Sequence, residues 1–326
     1  MNRITLSMLA VAALAALAAG TVHTAAASCD VTVSGAVKRY WPASGTTSYA
    51  GDPRCDSNGA SCHLSGWLFT PSGAGPHPAI IYSTGAGWTQ SRFDACEVVN
   101  YFVPKGYVVF VPYARGVDDT SGSNPLAPGE GFHNTGVNHL AGNPTSYEVL
   151  ATLEEESYDL QLAYEYVQGL ASVDPSRMAL FGAGVGGTRA SMLAQVPLWT
   201  PNARVLVNLS GAVWDWGGDP QWATDLDDAA EYHIGAALYQ AVANESPSGD
   251  YTPTISQFTS AGRYTSSRPA KLALYAGFGI SSSAQAICTN RGYNANRCAS
   301  FTFVTDAAQV ARWIDVVHKY LVQYGV

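Results

Sequence analysis

From residue 66 onward, short apolar runs alternate with longer segments of helical periodicity. The runs Gly66-Thr70, Ala79-Tyr82, Tyr107-Pro112, Met178-Phe181, Arg204-Leu209, Lys271-Tyr275 and Ser300-Val304 read as strands. Several are apolar at nearly every position, Tyr107-Val108-Val109-Phe110-Val111 above all, as expected of parallel strands buried on both faces. Between them the pattern predicts helices over Phe93-Pro104, Ser146-Leu170, Thr188-Gln195 and Ala307-Gln323. The last carries Val310, Ile314, Val317 and Leu321 on one stripe. Repeated strand-helix alternation implies one α/β domain, a mostly parallel central sheet flanked by helices.

Three stretches break the rhythm. Residues 28–65 are turn-rich, with Gly51-Asp52-Pro53 and Asn58-Gly59, and read as an N-terminal extension with short strands. Residues 114–145 are rich in glycine and proline and lack periodicity, the mark of a binding loop or lid. Residues 214–262 hold Trp214, Trp216 and Trp222 and a helical piece near Asp225-Ala243, a small cap inserted over the carboxyl edge of the sheet. Trp88, His133, His139, Trp214, Trp216 and His233 are the residues expected to line a pocket between loop and cap.

The amino terminus reads differently. Arg3 precedes an apolar stretch from Ile4 to Gly20, and Ala25-Ala26-Ala27 fits a small-residue cleavage site. Residues 1–27 are therefore expected to be a signal peptide, and residues 66–326 the main domain, in a secreted or periplasmic protein. No later segment has the uninterrupted apolar length of a membrane span. In that setting Cys29, Cys55, Cys62, Cys96, Cys288 and Cys298 read as disulfides. Short-range pairing favours Cys55 with Cys62 and Cys288 with Cys298, leaving Cys29 for Cys96, while other connectivities stay open.

Composition narrows the partners. The 326 residues carry 17 Lys+Arg against 25 Asp+Glu, a formal net charge of -8, which argues against nucleic acid. Only 13% are charged, against about 25% in an ordinary domain. No cysteine or histidine spacing matches a metal site: His133, His139 and Glu130 fit no established pattern. No cofactor is expected, and the partner is a small-molecule ligand or another protein.

The chemistry should sit where Met178-Phe181 runs into Gly182-Ala183-Gly184-Val185-Gly186-Gly187 and then a helix. Strand, tight glycine turn and helix form the context of the G-x-S-x-G nucleophile elbow, with glycine in the serine's place. Most of residues 66–323 resembles the α/β-hydrolase family, within it the dienelactone-hydrolase-like and related esterase or peptidase-like members. Pro78 to Trp88 resembles the strand and loop that supply one oxyanion-hole N–H. Tyr107 to Gly122 is similar to the family's strand and Arg-Gly turn, and Val173 to Gly182 to the approach to the elbow. The resemblance implies an α/β-hydrolase fold with donors at Val185 and at Gly85 or Ala86.

The same resemblance exposes departures. The nucleophile position is Gly184 and the acid position is Gly279. Phe303 to Ala308 runs into the final helix without the expected histidine, and His318 lies mid-helix, where a structural or surface role is expected. A serine needs an imidazole to take its proton and a carboxylate to orient that imidazole. The expectation is a pseudo-hydrolase, not an acyl-transfer enzyme.

Two rivals stand beside it. An active ester, lactone or peptide hydrolase would need relocated groups: Ser83 or Ser281, a histidine among His133, His139 and His233, and a carboxylate among Asp118, Asp119, Glu130, Asp215 and Asp219. Gly182-x-Gly184-x-x-Gly187 also matches a dinucleotide-binding fingerprint, but Arg204 to Asn208 lacks the acidic residue such a site requires. Glu154, Glu155, Glu156 and Asp159 are expected on a solvated helix face near a helix start.

Overall fold

The computed structural model describes residues 37–42, 63–83, 95–112, 146–195, 203–209, 236–242, 270–275 and 307–326. Eight strands form one sheet: β1 (Val37–Pro42), β2 (His63–Phe69), β3 (His77–Ser83), β4 (Val108–Pro112), β5 (Val173–Ala183), β6 (Val205–Leu209), β7 (Ala236–Val242) and β8 (Ala270–Tyr275). Their order is β1-β2-β4-β3-β5-β6-β7-β8. β2 pairs antiparallel with both β1 and β4, and every pair from β4 to β8 is parallel. The parallel strands are buried throughout in β4 and β6, which is why their sequences run apolar without alternation.

Among the described residues four α-helices cover the two faces: α1 (Cys96–Phe102), α2 (Ser146–Gln168), α3 (Val185–Gln195) and α4 (Ala307–Gln323). On one face Ile80 and Tyr82 of β3, Ala179 and Phe181 of β5, and Val205 and Val207 of β6 pack with Val99 and Phe102 of α1 and Trp313 and Val317 of α4. The alternate residues, Ile81, Leu180 and Leu206, pack with Ala163 and Val167 of α2 and Ala190 and Leu193 of α3. The period-2 alternation of each strand thus feeds two cores, giving a three-layer α/β/α arrangement. α4 ends on Tyr107, whose hydroxyl donates to the Val326 carbonyl oxygen at 3.0 Å.

One expectation needs correction. The segment Asp225-Ala243 is not helical over its second part: Ala236–Val242 is β7, paired in parallel with β6 and β8. Its alanines favour helix locally, but a place between two strands supplies ladder partners on both sides and overrides that preference. Residues 236–242 are therefore part of the sheet within the stretch expected to form a cap. The turn-rich extension contributes β1, one of the short strands expected of it, in register with β2 from Val37 against Leu68 to Pro42 against His63. The expected strand Ser300-Val304, the signal peptide, the loop 114–145 and the rest of residues 214–262 lie outside the described residues.

Among the described residues no helix is long and apolar enough to cross a membrane. Cys96, buried at the start of α1, is disulfide-bonded, to a cysteine outside the described residues.

Candidate functional site

The site is built where β5 ends and α3 begins. Gly184 joins them with φ +54°, the left-handed region that glycine enters without steric cost. Its N–H donates to the Leu209 carbonyl at the end of β6, 2.9 Å away. Its carbonyl accepts from the N–H groups of Gly187 at 2.8 Å and Thr188 at 3.1 Å, the first closing bonds of α3. Gly184 is thus anchored on both sides while its α-carbon stands at the apex of the turn.

The flanking glycine has a packing role. A Cβ on Gly182 would stand 2.1 Å from the carbonyl oxygen of Gly186 and 2.6 Å from the Gly187 nitrogen. Only a residue without a side chain lets the first turn of α3 fold back onto the strand this closely. Glycine at position 182 is therefore a geometric requirement of this elbow, and the central position is the one at which the motif presents its side chain.

Neighbouring strands bring polar residues alongside. Ser83 of β3 and Asn208 of β6 are both in register with Gly182. By strand alternation both lie on the α3 side of the sheet, and both are buried. Asn208 Nδ2 donates to Ser191 Oγ on α3 at 2.8 Å, tying helix to strand. Nearer the start of α3, Arg189 Nε donates to Glu156 Oε2 of α2 at 2.5 Å, a pair buried at both ends. These groups hold the helix that forms one side of the elbow.

This corrects the reading of the acidic cluster. Glu154 is exposed, but Glu156 and Asp159 are buried, and all lie well inside α2, which starts at Ser146. The strong pattern of consecutive glutamates concealed that their faces differ. Arg189 and Ser191 were not singled out from the sequence. A lone arginine within the apolar stretch Ala190-Ser191-Met192-Leu193 was the available signal, since a charge there must find a partner.

Of the other expected site residues, Val185 opens α3, whose first N–H groups have no intrahelical acceptor. β3 ends at Ser83, in register with Gly182 directly beside the elbow. Gly85, Ala86, Trp88, His133, His139, Trp214, Trp216, His233 and Gly279 lie outside the described residues, as do Cys29, Cys55, Cys62, Cys288 and Cys298. Among the described residues no group of three or more histidine, cysteine or carboxylate side chains could hold a metal ion.

The arrangement matches known structures. A provisional dipeptidyl aminopeptidase IV from Bacteroides ovatus aligns at TM-score 0.52 and 16% identity, over 89% of this chain and 36% of that one. Thermogutta terrifontis esterase 2, phosphoramylated by tabun, aligns at TM-score 0.52 and 15% identity, over 84% of this chain and 96% of that one. The chain has the α/β-hydrolase fold. A provisional dienelactone hydrolase from Klebsiella pneumoniae subsp. pneumoniae aligns at TM-score 0.49 and 14% identity, covering 85% and 99%. This α/β-hydrolase-fold chain spans about a third of the Bacteroides protein and nearly all of the Thermogutta one. No protein-family model and no curated protein matches it.

His318, on α4, stands away from the elbow. Its ring meets those of Tyr101, Phe102 and Tyr107 edge-on, with centroids 5.8 to 5.9 Å apart. Burial, and then the Lys105 ammonium, hold its imidazole below the ordinary histidine range, against an opposing pull from Asp315. The aromatic box accounts for the residue as part of the packing between α1, α4 and β4.

Proposed function

We propose that this is a non-catalytic member of the hydrolase fold, exported and disulfide-stabilised, that binds a ligand at its elbow without cleaving it. One observation carries the reading: Gly184 occupies the left-handed apex at which the fold presents its nucleophile, so no hydroxyl or thiol exists there to form an acyl intermediate. The loss of an acid at Gly279 and of a histidine after Val304 points the same way. Binding survives that loss because the donors of an oxyanion-type site are backbone groups. The N–H of Val185, with one from Gly85 or Ala86, would donate to a carbonyl or carboxylate oxygen. Trp88, Trp214 and Trp216 would supply the apolar remainder of the pocket, in a small-molecule or partner-protein role.

The test uses the chemistry of the fold itself. The Thermogutta esterase structure carries a phosphoramyl group from tabun. A fluorophosphonate probe and short-chain aryl esters offered to the full chain should give neither labelling nor turnover above the uncatalysed rate. Stoichiometric labelling would establish an active hydrolase with relocated residues, and peptide mapping would name its nucleophile. Ser83 offers that alternative little support, being buried on the α3 face of the sheet.

A further inference from the structure

We draw no further inference here: the strongest candidate, the buried polar cluster in which Glu156 of α2 meets Arg189 of α3 and Asn208 of β6 meets Ser191, belongs to the elbow site already described.

Discussion

The carbonyl oxygen of Gly186 lies 2.1 Å from the point that a Cβ on Gly182 would occupy. The neighbouring clashes are also with backbone, so no side-chain rotation could relieve them. Gly182→Ala must push α3 away from β5. The expected cost is about 3 kcal/mol or more, at the upper end for overpacking, read as a lower urea midpoint.

Gly184 tests a different property, conformation and not space. At φ +54° a serine carries the left-handed penalty, so Gly184→Ser should destabilise the chain by about 1 kcal/mol. Ester turnover should remain at the uncatalysed rate, because a hydroxyl alone lacks its base and acid. Strong rescue in an aryl-ester assay would place a functional histidine and carboxylate around the elbow after all.

The Arg189–Glu156 pair predicts non-additivity. Arg189→Met leaves a buried carboxylate facing the cavity of its lost partner, at a cost of about 3 to 5 kcal/mol. Removing both charges, with Arg189→Met and Glu156→Leu together, should recover much of that loss. A double-mutant cycle in chemical denaturation measures the coupling, and additive single effects would show the pair to be energetically indifferent.

His318 gives a pH dependence of definite sign. Its folded pKa lies below the ordinary value of 6.5, chiefly through burial and then Lys105. As pH falls through that value the unfolded chain takes up the proton first, so stability declines until the folded pKa is passed. Above about pH 7 the contribution is fully present. His318→Gln should remove this part of the slope, visible by comparing urea midpoints of the two proteins between about pH 7.5 and pH 5.

The elements that the sequence reveals most clearly are those whose causes are local. The apolar runs of β4 and β6, the stripe of Ile314, Val317 and Leu321 on α4, and the glycines around Gly184 all state their structure within a few residues. β7 does not, because Ala236-Ala237-Leu238-Tyr239-Gln240-Ala241-Val242 reads as helix until β6 and β8 are beside it. The order that sets β4 between β2 and β3 is equally invisible, since a crossover leaves no trace in the strands it joins. At the site, the turn at Gly184 between β5 and α3 was legible from the glycine spacing. The burial of Glu156 depends on Arg189, 33 residues further along the chain, and no periodicity of α2 alone announces it.

The placement of α4 also orders the events of synthesis. The face covered by α2 and α3 can close once residues 146–209 have joined β3 and β4. Its counterpart waits for Trp313, Ile314, Val317 and Leu321. Until those residues leave the ribosome, Ile80, Tyr82, Phe181 and Val207 have, among the described residues, α1 as their helical cover on that side. A nascent chain of this fold therefore carries that face of the sheet as sticky, unfinished surface until α4 emerges, and a chaperone that binds apolar strands would find its longest opportunity there.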